Sequence, residues 1–151
     1  MQQLIPFEKG LSVVIPVYKS EKILPFLVES LKKSLNALGE DYEVILVVDG
    51  SPDGSWGKIL ELRRNYAWLR GIHLMRNYGQ HNALLQGIRA ATYDTIITMD
   101  DDLQHPPKEI HKLLAELEKG YDVVYGYPEK ETHLLWRNFS SRLMKQILRI
   151  S

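Results

Sequence analysis

Several features are missing from this chain of 151 residues, and each absence narrows the range of functions that the chain can have. It has no cysteine, which excludes disulfides, thiolate metal sites and a cysteine nucleophile. Neither sign of charge dominates, because 19 basic residues balance 19 acidic ones, so we expect no nucleic-acid partner. No apolar run approaches the roughly 18 residues of a membrane span, and no secretory signal opens the chain. We therefore expect a cytoplasmic protein.

Apolar and amphipathic segments alternate along the chain. Segments rich in β-branched and apolar residues predict strands at residues 11–17, 43–48, 69–75, 94–99 and 121–127. Apolar residues at helical spacing predict helices at residues 21–38, 55–68, 80–91 and 106–118. This order is typical of an α/β domain with a mainly parallel sheet flanked by helices. Ligands of such domains bind beyond the carboxyl ends of the strands.

An acidic run follows the predicted strand at 94–99 and is the strongest single signal in the chain. Its sequence is Asp100-Asp101-Asp102-Leu103-Gln104, and consecutive carboxylates repel one another unless a cation neutralises them. Asp100 and Asp102 can converge on one side where the chain leaves a strand. With Gln104 they would offer the oxygen ligands that Mg²⁺ or Mn²⁺ prefers, and such an ion would hold a diphosphate. The alternative is a solvated acidic loop before the next helix.

Polar and glycine-rich segments also follow the other predicted strands of the sheet. They are residues 16–18, 49–54 and 76–81. Because these ends meet at one edge of a parallel sheet, a nucleotide would fit there. Simpler interpretations exist for each segment: residues 49–54 have the composition of a turn, and Arg76 would cap a strand or helix. Gly79, Ala83 and Gly87 would allow a helix to pack closely on the sheet.

Four segments resemble the motifs of family 2 glycosyltransferases and occur in the same order. They are Leu11-Ser12-Val13-Val14-Ile15-Pro16-Val17-Tyr18, Asp49-Gly50-Ser51-Pro52-Asp53-Gly54, Arg76-Asn77-Tyr78-Gly79-Gln80-His81 and Asp100-Asp101-Asp102-Leu103-Gln104-His105-Pro106-Pro107. The last two are most similar to the polyprenyl-phosphate sugar transferases, the branch of dolichol-phosphate mannose synthase and the undecaprenyl-phosphate glycosyltransferases. The resemblance implies the GT-A fold, a Rossmann-like nucleotide-sugar-binding domain. That domain would span residues 1–151, truncated on the acceptor side, within a longer parent protein.

The resemblance also implies an activity, the inverting and metal-dependent transfer of a sugar from a nucleotide-sugar to an acceptor. The acceptor would be a polyprenyl phosphate at the cytoplasmic face of a membrane, and a UDP-sugar is favoured over a GDP-sugar as donor. Asp100 and Asp102 would be catalytic, and with Gln104 they would bind Mg²⁺ or Mn²⁺ at the donor diphosphate. The other implied donor contacts are Pro16 and Tyr18 at the base and ribose, Asp49 at the nucleobase, Arg76 at the phosphates and Asp100 at the ribose.

Two positions depart from the pattern of the family. Val48 stands where a second aspartate is usual, so the nucleobase would be recognised less strongly or in a different way. Asp101 stands where a small apolar residue is common in the acidic run. The extra charge of Asp101 would either tighten metal binding or point to solvent.

The last predicted element is a helix over residues 133–150. Its apolar residues at roughly helical spacing are Leu135, Phe139, Leu143, Met144 and Ile147, and its basic residues include Arg137, Arg142, Lys145 and Arg149. One interpretation is a helix whose apolar face packs on the sheet. The other is an interfacial helix that meets anionic lipid or the polyprenyl phosphate at a membrane surface.

Other classes of function remain open from the sequence. A saccharide hydroxyl would be an alternative acceptor, in polysaccharide or cell-envelope synthesis, and would require a general base. A non-catalytic nucleotide-binding or membrane-scaffold fragment would keep the fold without turnover. A phosphoacceptor signalling domain is disfavoured, because it needs acidic residues after the first strand, where this chain has Pro16-Val17-Tyr18.

Overall fold

A computed structural model describes residues 7–104, 106–126 and 145–149 of the chain. Within these residues, strands and helices alternate as the sequence predicts. The strands are β1 (Glu8–Val17), β2 (Tyr42–Asp49), β3 (Leu69–Leu74), β4 (Tyr93–Thr98), β5 (Val123–Gly126) and β6 (Lys145–Arg149). The helices are α1 (Leu24–Asn36), α2 (Ser55–Leu62), α3 (Gln80–Arg89) and α4 (Ile110–Leu117), the last preceded by a 3-10 turn at Pro107–Glu109.

The described strands form one sheet in the order β3-β2-β1-β4-β6-β5. β1 pairs in parallel with β2 on one side and with β4 on the other, and β2 pairs in parallel with β3. β6 is antiparallel to both β4 and β5. The prediction of an α/β fold with a mainly parallel sheet is therefore confirmed. The carboxyl ends of β1 to β4 consequently lie at one edge.

Helices cover the centre of the sheet on both faces, which explains the unbroken apolar run of β1. Val13 and Ile15 belong to the larger hydrophobic cluster, together with buried residues of α1, α2 and α4. Val14 belongs to a second cluster, with Ala83 and Leu84 of α3. A strand covered on both faces has no solvated side, so its residues are apolar at successive positions rather than at alternate ones.

The close packing of α3 on the sheet depends on small residues on its inner face. Ala83 is buried, and a Cβ built on Gly87 would lie 2.2 Å from Cγ1 of Val14 and 3.1 Å from Cγ2 of Val47. The prediction of close helix packing is confirmed for these two positions. Gly79 has a different role: it immediately precedes α3, and its φ of +89° lies in the left-handed region that favours glycine.

We expect Gly87→Ala to destabilise the fold by about 1–3 kcal/mol, because the added methyl group must displace a β1 side chain. Gly57→Ala is the matched control, since Gly57 lies inside α2 and a Cβ there would meet nothing within 4 Å. The control should be neutral or stabilising by about 0.5–1 kcal/mol, because alanine favours a helix over glycine. Urea unfolding measures both free energies. Similar effects of the two substitutions would contradict the close packing of α3.

Helix α2 is shorter than the sequence predicts, because it ends at Leu62 rather than at residue 68. The backbone N–H groups of Arg64 and Asn65 bond to the carbonyl groups three residues earlier, which forms a tight turn. The turn lets the chain reverse so that buried Leu69 can begin β3. Some of the apolar residues whose spacing predicts a longer helix therefore belong to this turn and pack on the core from there.

The prediction of a helix over residues 133–150 is wrong for its described part, Lys145–Arg149, which forms β6. This strand lies between β4 and β5, with Ile96 opposite Leu148. The two neighbouring strands satisfy its backbone N–H and C=O groups, so sheet pairing overrides the helical spacing of the sequence. The rest of the predicted helix lies outside the described residues. Across the part of the chain that the structure describes, no helix is long and apolar enough to cross a membrane.

An ion pair with a buried carboxylate lies at the opposite edge of the sheet, near the amino ends of the strands. Glu43 is buried, pairs with Arg70, and accepts hydrogen bonds from Oγ of Ser12 at 2.8 Å and from the backbone N–H of Thr92 at 2.6 Å. Burial acts to raise the pKa of Glu43, but these interactions outweigh it and hold the pKa below its ordinary value. The ion pair lies away from the carboxyl edge and takes no part in a site there.

Candidate functional site

Four loops meet at the carboxyl edge of the sheet, one after each of the first four strands. They are named the first loop (residues 18–23), the second loop (50–54), the third loop (75–79) and the fourth loop (99–104). The site residues predicted from the sequence all lie in these loops or in the last residues of the strands. Each loop is connected to another loop by at least one hydrogen bond, made either by a residue of the loop or by a residue next to it.

Asp49 joins the second loop to the third. It is the last residue of β2, it is 4% exposed, and its Oδ1 accepts a hydrogen bond of 2.7 Å from the backbone N–H of Tyr78. Gly50 follows with a φ of +58°, and a Cβ on it would lie 2.2 Å from the backbone nitrogen of Asn77. No larger residue fits this close approach. The predicted nucleobase residue therefore also supports the third loop.

Of the side chains predicted to contact the nucleoside and the phosphates, Tyr18 and Arg76 are accessible, whereas Pro16 and Asp49 are buried. Pro16 is buried within β1, whereas the ring of Tyr18 is 45% exposed at the start of the first loop. Arg76 is exposed in the third loop, with its guanidinium 4.8 Å from the centre of the Tyr78 ring. Tyr18, Arg76 and Tyr78 thus place two aromatic rings and one positive charge at this edge.

The predicted metal ligands lie in the fourth loop or at its start. Oδ1 of Asp100 accepts a hydrogen bond of 2.8 Å from Nε2 of Gln80, the first residue of α3. Asp102 is exposed, and its Oδ1 accepts the backbone N–H of Gln104 at 3.0 Å. This local turn places Leu103 in the left-handed region, with a φ of +59°. Asp102 and the exposed Gln104 therefore occupy the tip of the same turn.

Asp101 is half-buried and its carboxylate faces the first loop, so its charge does not point freely to solvent. Its carboxylate accepts hydrogen bonds from Oγ of Ser20 and from the backbone N–H of Tyr18, both in the first loop. Burial raises the pKa of Asp101, and the hydrogen bonds from Ser20 and Tyr18 only partly oppose this effect. The middle carboxylate of the run thus connects the fourth loop to the first.

Asp53 is a structural residue of the site that the sequence analysis does not single out. It accepts hydrogen bonds from Oγ of Ser51 at 2.7 Å, from Oγ of Ser55 at 2.6 Å, and from the backbone N–H groups of Ser55 and Glu21 at 3.1 Å each. Burial acts to raise its pKa, but these four bonds lower the pKa to about 2. The signal was present in the sequence: aspartate between two serines, just before a helix, is typical of a capped helix start.

A cleft of about 530 Å³ opens between the first and fourth loops. Its lining consists of Lys19, Ser20, Glu21, Lys22, Ile23, Asp53, Asp101 and Asp102. The cleft adjoins the exposed carboxylate of Asp102, so a ligand bound at the fourth loop would have open space beside it.

The fourth loop fits a hard divalent cation by the chemistry of its donors. Asp100, Asp102 and Gln104 supply carboxylate and amide oxygens, the ligands that Mg²⁺ and Mn²⁺ prefer. In the described part of the chain, no three acidic or histidine side chains are already gathered around one point. Mg²⁺ is commonly bound by one or two carboxylates together with substrate phosphates, so a preformed cage is not required.

The fold and the site together define a class: an α/β domain with its ligand site at the carboxyl edge of a parallel sheet, beside an acidic loop suited to a divalent cation. The model of the family described as glycosyl transferase family 2 matches residues 12–147, and the chain belongs to this family. The family and the α/β GT-A-like fold predicted from the sequence are therefore confirmed, and the family is one of glycosyltransferases.

Solved structures agree with this assignment. The chain is similar to residues 1–349 of S. aureus TarS, with 27% identity and a TM-score of 0.66 over 93% of this chain and 47% of that one. It is similar to the same protein in complex with UDP-GlcNAc, with 29% identity and a TM-score of 0.62 over 76% and 33%. A Pyrobaculum calidifontis mannosyltransferase, PcManGT, in complex with GDP-Man and Mn²⁺, shares the fold at 18% identity and a TM-score of 0.56, over 63% and 28%. The chain spans about half or less of each of these structures.

The low pKa of Asp53 implies that part of the stability of the folded protein is lost in acid. Its pKa is about 2 in the folded protein and ordinarily 3.8, so this contribution is present above about pH 4 and is lost as the pH falls toward 2. Asp53→Asn should remove it, and the unfolding free energy should then change less between about pH 4 and pH 2 than in the wild type. Asp122→Asn, at an exposed carboxylate, is the control and should follow the wild type. Identical pH curves for Asp53→Asn and the wild type would contradict this account.

Proposed function

We propose that the chain is the donor-binding part of an inverting, metal-dependent glycosyltransferase that uses a nucleotide-sugar. One observation carries the proposal. This chain belongs to the family, and its fold brings Asp49, Arg76 and the acidic fourth loop to one edge of the sheet. Parallel α/β domains bind nucleotides at that edge. Support also comes from the similar TarS structure in complex with UDP-GlcNAc.

The residues of the site suit the charge that develops during sugar transfer. Breaking the bond between the anomeric carbon and the diphosphate leaves negative charge on the diphosphate, which a bound Mg²⁺ or Mn²⁺ would stabilise as a Lewis acid. Asp100, Asp102 and Gln104 would hold that ion. Arg76 would lie near the phosphates, and its contact with the ring of Tyr78 would limit the entropy lost when a phosphate binds. In-line attack on the opposite face of the sugar inverts the anomeric carbon.

The donor is proposed to be a UDP-sugar, with a GDP-sugar as the alternative. The buried carboxylate of Asp49 would accept an N–H group of the nucleobase, and Pro16 and Tyr18 would line the base and ribose. TarS in complex with UDP is 26% identical to this chain, and supports the choice of uridine. PcManGT, in complex with GDP-Man, is less similar, at 18% identity. Val48 in place of the usual aspartate leaves Asp49 as the acidic residue at the end of β2.

The acceptor is proposed to be a polyprenyl phosphate. This proposal rests on the form of two segments, Arg76-Asn77-Tyr78-Gly79-Gln80-His81 and Asp102-Leu103-Gln104-His105-Pro106-Pro107, which resemble the polyprenyl-phosphate sugar transferases. A phosphate oxygen is already anionic near pH 7, so transfer to it needs no strong general base. A saccharide hydroxyl acceptor would need such a base.

Asp102→Ala should abolish the effect of Mn²⁺ on nucleotide-sugar binding, because it removes an exposed ligand while costing little packing. Calorimetric titration of UDP and a UDP-sugar, with and without Mn²⁺, measures the effect. Asp101→Ala should reduce it less, because that carboxylate faces the first loop. A folded Asp102→Ala protein with unchanged Mn²⁺ dependence would refute the metal assignment. A larger loss in Asp101→Ala would show that Asp100 and Asp102 are the wrong pair.

Asp49→Ala should weaken UDP binding by about 1–3 kcal/mol, the cost of leaving a buried polar group of the base without its partner. It should hardly change the binding of inorganic diphosphate with Mn²⁺. Asp49→Asn keeps an oxygen for the N–H of Tyr78 and so separates base recognition from support of the third loop. Equal losses for UDP and diphosphate would assign Asp49 to the phosphates or to the turn alone.

We propose that the protein acts at the cytoplasmic face of a membrane, where a polyprenyl phosphate presents its head group. Three basic residues would meet an anionic surface: Arg142, which lies outside the described residues, and Lys145 and Arg149, at the two ends of β6. Sedimentation should detect binding to anionic vesicles that weakens from low to physiological salt, where charges are screened over about 8 Å. Replacing all three with glutamine should reduce it. Equal binding to neutral vesicles, or none to anionic vesicles at low salt, would contradict the proposal.

A further inference from the structure

Two loops of the site contain a strained backbone residue. Among the residues that the structure describes, the non-glycine residues with positive φ are Lys19, at +57°, and Leu103, at +59°. Lys19 lies between Tyr18 and Ser20 in the first loop, and Leu103 follows Asp102 in the fourth. A side chain in this conformation costs free energy and persists only where the surrounding contacts hold it. The bond between Oδ1 of Asp102 and the backbone N–H of Gln104 holds Leu103 from within its own loop, whereas Lys19 is held by contacts from outside the first loop.

The carboxylate of Asp101 supplies a contact between these two loops. It belongs to the fourth loop and accepts hydrogen bonds from Oγ of Ser20 and from the backbone N–H of Tyr18, on either side of Lys19. Ser20 is 7% exposed, and its hydroxyl also lies 3.1 Å from the carbonyl oxygen of Tyr18. Asp101 is half-buried, and burying a carboxylate is costly unless it is hydrogen-bonded, so this arrangement favours one relative position of the loops.

The second loop fixes the other side of the first loop. The backbone N–H of Lys19 donates to Oγ of Ser51 at 2.7 Å, and the backbone N–H of Ser20 donates to Oγ of Ser55 at 3.1 Å. The first loop is thereby anchored to the rigid start of α2. Through Asp101, the same support reaches the fourth loop.

We propose that Asp101 is a positioning residue that makes the first and fourth loops respond as one unit. This inference rests on the proposed function, in which Tyr18 contacts the nucleoside and Asp102 binds the metal. Asp101 adjoins Asp102 in the chain and holds the backbone of Tyr18, so ordering one binding element orders the other. Nucleotide and divalent cation are already coupled through the diphosphate that the ion contacts, and Asp101 increases this positive coupling, whose free energy is the same whichever ligand binds first.

The first measurement is the ratio of UDP dissociation constants without and with Mn²⁺, determined by calorimetry. In Asp101→Ala this ratio should fall by about 5- to 10-fold, within the range typical of coupled sites. Asp101→Asn should stay within about twofold of the wild type, since an amide oxygen can still accept both hydrogen bonds. Ser20→Ala should lower the ratio in the same direction, and adding it to Asp101→Ala should change nothing further, as expected for partners of one contact.

The second measurement needs no ligand: hydrogen exchange of the Tyr18 backbone amide, followed by NMR. Asp101→Ala should accelerate this exchange by about tenfold or more, and Asp101→Asn should retain the protection. Loss of the Mn²⁺ effect in Asp101→Asn as well as in Asp101→Ala would mean that Asp101 contacts the metal directly, and would overturn the positioning role.

The outcomes separate this inference from the function on which it rests. No Mn²⁺ effect in the wild type would refute the proposed function, whatever the exchange rates. A retained Mn²⁺ effect in Asp101→Ala, together with unchanged exchange at Tyr18, would refute the role of Asp101 and leave the function standing. A further outcome is that Asp101→Ala lowers the thermal stability and leaves the ratio of UDP dissociation constants without and with Mn²⁺ unchanged. That result would also refute the positioning role, because Asp101 would then only stabilise the fold.

Discussion

Parallel pairing of β1 with β2 on one side and β4 on the other brings the last residues of these strands to one edge of the sheet. Every other feature of the site depends on this pairing. It places loops that are far apart in the chain within hydrogen-bond distance, so that Asp49 reaches Tyr78 and Gln80 reaches Asp100. The pairing is in turn secured by apolar packing on both faces of β1, where α3 approaches so closely that Gly87 leaves no room for a side chain.

The carboxylates of consecutive aspartates repel one another, and in this fold each of the three lies in a different environment. Asp100 receives a hydrogen bond from Gln80 of α3, Asp101 turns inward to the first loop, and Asp102 remains exposed at a turn. Like charges on adjacent residues thus point to different partners, which reduces their repulsion. The exposed carboxylate is the one that a cation and its phosphates can approach most easily. The three carboxylates, which look alike in the sequence, therefore have three different environments in the fold.

The sequence predicts the architecture and the location of the site well, for a physical reason. A central strand covered on both faces must be apolar throughout, and the loops after such strands are where polar residues collect. The sequence does not predict that Asp101 faces the first loop or that Asp53 gathers four hydrogen bonds, because both depend on how separate loops meet. The strand at Lys145–Arg149 is missed for the same reason, since the helical spacing of that segment is local and its pairing with β4 and β5 is not.

The most direct test of the central claim is paramagnetic broadening of backbone amide resonances by Mn²⁺ in the presence of UDP. The effect depends on distance, so it locates the ion without an activity assay. The account predicts the strongest broadening at the amides of residues 100–104, with weaker broadening in the first loop, and little without UDP. Broadening centred on the amino edge of the sheet around Glu43, or spread evenly over the acidic residues of the surface, would contradict it.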